Sequence, residues 1–498
     1  MEALLKVEKL TKRFEWVVAN DAISFDIQKG EIHCLLGENG AGKSTLAECI
    51  YGYYQPDQGD IYFDGTKIDY RSPRDAIKSG IGMVHQHFVL VPPASVIENV
   101  IVGTAGAPFL LDFKGTEKKL KQLCQNYNVD LDPHTKIWDL SVGQQQWVEI
   151  LKALYLDAKL LILDEPTAVL TPQESEQLFK ILRKMTADGI SIILITHKLN
   201  EVMQSDRVTV LRKGKRVDTV ITKNYSKNEL TNLMVGREVI LDVKKDNLPL
   251  GASMLRLEGV NLRDEWNPHV LDDISFTVHK NEIIGIAGVA GNGQKELFEV
   301  LVGVTTPDTG KVFLDDEDIT HMNPADIIKR GVGHIPQDRY LEGLLEEFSV
   351  ADNLILGSQH DSCFKKGPFL DQSKIATYAE KCTAEYEILT PSIKTQVDHL
   401  SGGNAQKIIL ARELWQSSKV LLANRPTRGL DVGVIEYVHR QLLKKRSEGY
   451  AIILISEELE DLFNLTDRIV VMYKGKVMGD FKTEAAKIEE IGLLMAGK

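Results

Sequence analysis

This chain is written twice, and that constrains its fold more than any other feature. GEIHCLLGENGAGKSTL, starting at Gly30, returns as NEIIGIAGVAGNGQKEL from Asn281. VHQHF around Gln86 returns as IPQDR around Gln337, and both Gly37/Gly288 and Gln86/Gln337 lie 251 positions apart. LSVGQQQ at Leu140 returns as LSGGNAQ at Leu400. Asp164 and Asn424 are 260 apart, so the second copy carries a net nine-residue insertion between its glutamine and its LSGGN segment. RVTVLRKGKRV near Arg207 and RIVVMYKGKVM near Arg468 close the copies, each predicting a β-hairpin turned at Lys-Gly. Features kept in one order at nearly constant offset mean a duplication. At 498 residues the chain is also too long for one core.

Within a copy the pattern predicts an α/β fold. VEKLTKRF and AISFDIQKG alternate as strands. IHCLL is an apolar strand feeding a glycine loop, with a helix starting at Gly42 or Lys43. KLLILDE and SIILITH predict short buried strands, each preceded by a helical stretch, hence a parallel core. Val96 to Leu140 reads as a helical subdomain. The polar stretch at 241–251, with Pro and Gly, predicts a linker between domains at 1–240 and 252–498.

Composition narrows the function. Apolar residues at 43% and charged residues at 26% suit a soluble globular protein. A net charge of -12 argues against a broad grip on nucleic acid. Five cysteines form no CxxC pair, so no disulfide frame or zinc site is implied and a reducing compartment fits. The N-terminal segment is charged too early for a signal peptide, and no apolar run approaches the ~20 residues of a membrane span. Work at a membrane would therefore require docking on other subunits.

The first copy carries the chemistry. Gly37-Glu-Asn-Gly-Ala-Gly-Lys-Ser44 matches GxxxxGK[ST] between an apolar strand and a helix, the context that makes the motif specific. Its glycines let backbone N–H groups turn inward around phosphate oxygens, and the helix N-terminus adds its dipole. Lys43 is placed to reach the β- and γ-phosphates, and the Ser44 hydroxyl to ligate Mg²⁺. Asp164 ends an apolar strand beside the phosphates, where it would hold Mg²⁺, while Glu165 orients and polarises the attacking water. Paired carboxylates at a strand end also serve as helix caps, but not usually downstream of a phosphate loop. His197 follows another such strand and is placed to contact the γ-phosphate. His85 and His87 flank Gln86 without the carboxylates or cysteines of a metal site.

The order phosphate loop, glutamine, LS-x-G-Q signature, Asp-Glu and histidine resembles the ATP-binding cassette (ABC) family, across essentially the whole chain and twice over. The resemblance implies two tandem P-loop NTPase cassettes, each a parallel-sheet core with an antiparallel β subdomain and a helical subdomain. It implies ATP and Mg²⁺ as cofactors. The nucleotide would be held by Gly37, Glu38, Asn39, Gly40, Ala41, Gly42, Lys43, Ser44 and Thr45. Gln86 would join Ser44 and Asp164 at the metal, and would count with Glu165 and His197 among the catalytic groups. In such proteins each signature covers the nucleotide held by the other cassette, so Ser401, Gly402 and Gly403 would face the first loop. Phe14 lies about where an adenine-stacking aromatic sits, and is equally placed for a core or edge-strand role.

The second copy has lost these groups. Gln294 stands at the position of Lys43, Lys295 at Ser44, Asn424 at Asp164, Arg425 at Glu165 and Glu457 at His197. Gly288, Gly291 and Gly293 remain, so the loop can still hold phosphate oxygens, with Lys295 as a substitute charge. The signatures are complementary: Leu400-Ser-Gly-Gly-Asn404 is intact, whereas the first copy has Val142 in place of glycine. Head-to-tail pairing would place intact loop against intact signature, giving one hydrolysing site and one structural or regulatory site.

A fused pair with a short linker and a degenerate second loop is similar to the ATPase subunits of ribose, galactose and nucleoside importers. GMVHQHF and LTPQE look most like the nucleoside branch. That resemblance implies two transmembrane permease subunits, an extracytoplasmic substrate-binding protein, a peripheral place on the cytoplasmic membrane face, and no direct contact with cargo. The segment His87-Phe-Val-Leu-Val to Pro92-Pro93 would receive the permeases. The rival class, tandem cassettes acting on ribosomes or translation, usually keeps both sites intact and has a long charged linker.

Overall fold

The computed structural model describes residues 3–15, 17–86, 88–102, 112–167, 170, 172–237, 245–264, 269–289, 291–416 and 419–497. His87 and the first four residues of the expected linker lie outside them. The chain forms two compact units, Met1–Val239 and Ile240–Lys498.

In the first unit β1 (Ala3–Phe14), β2 (Val17–Gln28) and β3 (Ile32–Leu36) lead into α1 (Lys43–Ile50). β4 (Gln58–Phe63), β5 (Thr66–Ile68), α2 (Pro73–Ser79) and β6 (Ile81–Val84) follow. Three helices come next, α3 (Val96–Val102), α4 (Phe113–Tyr127) and α5 (Val142–Tyr155). The unit closes with β7 (Leu160–Asp164), α6 (Pro172–Ala187), β8 (Ser191–Thr196), α7 (Leu199–Val202), β9 (Arg207–Arg212), β10 (Lys215–Ile221) and α8 (Lys227–Val235).

Two sheets result. One is antiparallel, of order β2-β1-β4-β5; the other has the order β10-β9-β3-β8-β7-β6 and is parallel except at its β10 edge. β3, β7 and β8 are buried at every residue, which is why they read as continuous apolar runs rather than alternating ones. The single polar residue in β3, His33, stays in the core because Glu31 lies 3.2 Å from Nδ1 and Thr209 2.8 Å from Nε2. The β9–β10 hairpin turns at Lys213 and Gly214, with φ of 49° and 75°, the left-handed pair that matches strand twist.

The second unit repeats the plan. β11 (Ser253–Leu262), β12 (Leu271–His279), β13 (Glu282–Ala287), α9 (Gln294–Leu301), β14 (Thr309–Leu314), β15 (Glu317–Asp318), α10 (Pro324–Lys329) and β16 (Val332–Ile335) come first. Its helical part holds α11 (Val350–Leu354), the short hairpin β17 (Lys365–Lys366) and β18 (Phe369–Leu370), α12 (Gln372–Glu385) and α13 (Gly402–Gln416). β19 (Val420–Asn424), α14 (Val432–Ser447), β20 (Ala451–Ser456), α15 (Leu459–Leu465), β21 (Arg468–Tyr473), β22 (Lys476–Lys482) and α16 (Ile488–Met495) complete it. Its sheets run β12-β11-β14-β15 and β16-β19-β20-β13-β21-β22. A π-helical turn at Arg339–Gly343 and the β17–β18 hairpin have no counterpart among the described residues of the first unit, and take up extra length of this copy. Among the described residues no helix is long and apolar enough to cross a membrane.

Candidate functional site

Parallel strands deliver their following residues to one edge of the sheet. In the first unit β3, β8 and β7 are neighbours, so Gly37, His197 and the Asp164–Glu165 pair arrive side by side. The loop from Gly37 ends at Gly42, which caps α1 in the left-handed region at φ 95°. A Cβ there would lie 2.3 Å from the Ala19 carbonyl, so only glycine fits. The helix begins at Lys43.

Lys43 is 6% exposed and folds back over the loop, its Nζ donating to the carbonyls of Gly37 at 2.8 Å and Glu38 at 2.9 Å. Asn20, fully buried, donates to the Gly42 carbonyl at 2.9 Å. Sequence reading passed over Asn20; a polar residue in an inward position of β2 was the available signal. Glu38 is half-buried, Asn39 and Gly40 are exposed, and Ala41 is buried under the turn. Ser44 is exposed and Thr45 half-buried at the first turn of α1.

Ser44 hydrogen-bonds Asp164, which is 8% exposed. Burial pushes this carboxyl above the ordinary range, and the neighbouring Glu165 charge adds to the push. Glu165 behaves oppositely. His197 Nδ1 lies 2.9 Å from its Oε1, and Gln86 Nε2 donates to its Oε2 at 2.9 Å. The histidine hydrogen bond holds this carboxyl below its usual range, against burial. Its backbone is left-handed at φ 48°, and its N–H donates to the Ile195 carbonyl at 2.9 Å. A carboxylate kept ionised, clamped on both oxygens and set beside the loop of Gly37 to Gly42 has the geometry that a general base requires.

Phe14 ends β1 outside the core, 37% exposed and edge-on to Tyr54 with centroids 5.0 Å apart. Lys12 Nζ lies 5.3 Å above the Phe14 ring. Tyr54 was not singled out from the sequence because it follows a helix with no motif around it. His85 packs edge-on against Tyr51 at 6.0 Å.

The two signature serines differ. Ser141 caps α5 in a closed box, accepting from Gln144 N at 3.2 Å while Gln144 Oε1 accepts from Ser141 N at 3.0 Å. Ser401, in the second unit, accepts from Asn404 Nδ2 at 3.0 Å, while Asn404 Oδ1 accepts from Leu389 N. Gly402 and Gly403 open α13. A Cβ on Gly403 would lie 2.7 Å from Val434.

At the second unit's own sheet edge the groups are rebuilt. Gln294 is 4% exposed and its Nε2 donates to the Val289 carbonyl at 3.3 Å, bracing the loop as Lys43 does but without charge. Lys295, expected as the substitute charge, instead points out, with Glu299 3.6 Å away along the helix. The cation at the sheet edge is Arg425, whose Nη2 lies 2.6 Å from Glu457. With its amide oxygen turned inward, Gln337 accepts from Arg425 Nη1 at 3.1 Å and from Arg428 Nη1 at 2.9 Å. Amide, carboxylate and imidazole have become amide, guanidinium and carboxylate.

Below His197 lies a buried acid. Glu201 accepts from the Thr167 hydroxyl, its other oxygen has no partner among the described residues, and burial raises its pKa. A raised acid stabilises the fold fully at low pH, and that contribution is lost as pH rises through the folded value. Glu201→Gln should therefore gain stability over wild type as pH climbs above the ordinary glutamate range near ~4.3. Urea midpoints measured across pH check this, and a gap that narrows with rising pH would contradict it.

A protein-family model described as ABC transporter matches residues 20–168 and 271–428, one stretch in each copy. The glucose import ATP-binding protein TsgD13 of Haloferax volcanii is 43% identical, across 100% of this chain and 96% of its own length. The nucleoside import ATP-binding protein NupA of Lactococcus lactis subsp. cremoris is 42% identical, with 100% and 98% covered. The guanosine import ATP-binding protein NupO of Bacillus subtilis is 43% identical, with the same shares. Two family matches in tandem and whole-length likeness at this level leave one conclusion: the chain belongs to the ABC transporter family.

Proposed function

We propose that this chain is the ATP-hydrolysing subunit of an importer for nucleosides or simple sugars. Its first cassette spans 1–240, its linker 241–251 and its second cassette 252–498. It sits peripherally on the cytoplasmic membrane face against two permease subunits, and an extracytoplasmic binding protein supplies the cargo. The observation that carries the reading is Glu165, clamped between Gln86 and His197 beside the loop of Lys43. The names of the relatives support import, and nothing in them favours action on ribosomes.

The oxygen donors at the sheet edge suit a hard cation: Ser44 and Asp164 already touch, and the Gln86 amide is held at the neighbouring carboxylate, Glu165. Mg²⁺ held there would neutralise charge on the β- and γ-phosphates. The protein groups do the rest. Backbone N–H groups of Gly37 to Thr45 and the Lys43 ammonium bind the phosphates. Glu165 accepts a proton from the attacking water, and His197 fixes that carboxylate while facing the γ-phosphate. Phe14 would stack on the adenine. Ser401, Gly402 and Gly403 would close the site from the other cassette.

Membrane attachment gives a direct test. Expressed alone, the chain should stay in the supernatant of a membrane preparation, and it should pellet with membranes when its permeases are co-expressed. Tight binding to protein-free liposomes would sink the docking part of the reading.

A further inference from the structure

The segment after Gln337 folds into the π-helical turn Arg339–Gly343, a form that occurs often at functional positions. Asp338 shapes it, its Oδ1 accepting from the N–H groups of Tyr340 and Leu341 at 3.0 Å each. Both ends of the turn are tied to α13, the helix that begins inside the second signature. Arg412, 4% exposed, donates from Nη1 to the Gly343 carbonyl at 2.9 Å. At the other end Arg339 Nη1 donates to the carbonyl of the signature's own Gly402 at 3.1 Å, and Nη2 to the Arg428 carbonyl. A guanidinium is rigid and planar, so bridging two carbonyls fixes their separation. Gly402 belongs to the helical part of the unit, and Arg428 to the loop after β19 at the edge of the core sheet. One side chain thus spans the two parts where the signature stands.

The duplication supplies a control. Position 88, 251 before Arg339, holds Phe, and position 142, 260 before Gly402, holds Val. A Phe88 ring has no donor for a carbonyl, and a Cβ at Gly402 would lie 3.2 Å from Arg339 Nη1. Arginine with glycine and phenylalanine with valine are therefore matched pairs. The intact signature goes with the residue that can tie it, and the altered signature with one that cannot.

We propose that Arg339 is a positioning residue for ATP hydrolysis: by tying Gly402 to Arg428 it holds Ser401, Gly402 and Gly403 in the arrangement that meets the γ-phosphate of the nucleotide on the first loop. The inference rests on the proposed pairing of that loop with this signature. Arg339 itself does not touch the substrate. It sets the donors before the phosphate arrives, so that little reorganisation is needed as charge develops.

Substitutions at Arg339, made in the full chain and assayed in the assembled complex, test this. Arg339→Ala should lower kcat on the order of 10- to 100-fold while KM for ATP stays near the wild-type value. Arg339→Gln, which keeps length but not the fork, guards against a folding defect and should lose turnover likewise. Arg339→Lys, which can hold one carbonyl at a time, should fall between these and wild type. Hydrogen exchange of the full chain gives a readout independent of turnover. Amides of residues 400–410 should exchange about tenfold faster in Arg339→Ala, the effect of losing a hydrogen bond from a charged group. The proposal is overturned if neither Arg339→Ala nor Arg339→Gln lowers kcat, if KM rises as far as kcat falls, or if exchange over 400–410 is unchanged. Where exchange quickens and kcat holds, Ser401→Arg separates the causes. A harmless Ser401→Arg means that the pairing of loop and signature is wrong, and a harmful one means that the tie alone is dispensable.

Discussion

Glu165→Gln should bind ATP as well as wild type and hydrolyse almost none of it. The substitution keeps the shape and the contacts to Gln86 and His197 within reach, and removes the proton acceptor. Loss of a positioned base costs on the order of 100- to 10,000-fold in rate. No carboxylate stands at the matching place in the second unit, where Arg425 occurs, so no second site can compensate. Arg425→Ala should slow steady-state turnover only a few-fold. Rates for both variants in the assembled complex, with nucleotide binding measured separately, decide the point. Comparable losses would mean that both sites contribute to turnover.

The other large effect concerns the signatures. Ser401→Arg should stop hydrolysis although every group of the first loop is untouched. Ser141→Arg should impair it less. Donors to the γ-phosphate matter in proportion to the charge that develops there, and on the proposed reading only the first loop would pair its nucleotide with a base. The control matters, because Ser141 caps α5 in a closed box. Losing such a cap costs about 1 kcal/mol of stability, so Ser141→Arg carries a folding penalty unrelated to catalysis. Unfolding midpoints for both variants separate the two effects. If Ser141→Arg stopped turnover at unchanged stability while Ser401→Arg did not, the pairing of intact loop with intact signature would be wrong.

Much of this was readable in the chain because the relevant physics is local. A glycine loop between an apolar strand and a helix needs only a few neighbouring residues, and α1 begins at Lys43, within the predicted start. Runs such as LLILD and SIILIT announced strands buried on both faces, and they are buried throughout. The Lys-Gly turns fell where the hairpins turn. What stayed hidden depends on contacts between distant positions. Asn20 supports Gly42 from another strand. Phe14 gains its partner Tyr54 only through tertiary packing, which also removes it from the core. Lys295 looked like the replacement cation because it adjoins the loop in sequence, but helix geometry turns it toward Glu299. The cation at that sheet edge is Arg425, just after β19, which the repeat offset names but whose contacts with Glu457 and Gln337 only the fold reveals.

The residue after β7 and the residue after β19 share one more property. Glu165 and Arg425 both sit at φ 48°, a left-handed corner that costs a non-glycine residue roughly 1–2 kcal/mol. The second unit has kept this awkward bend although the acid that used it is gone. Inheritance has therefore acted on side chains and backbone separately. The bend therefore belongs to the main-chain outline that both copies share, and opposite charges can stand on it without the strand end changing shape.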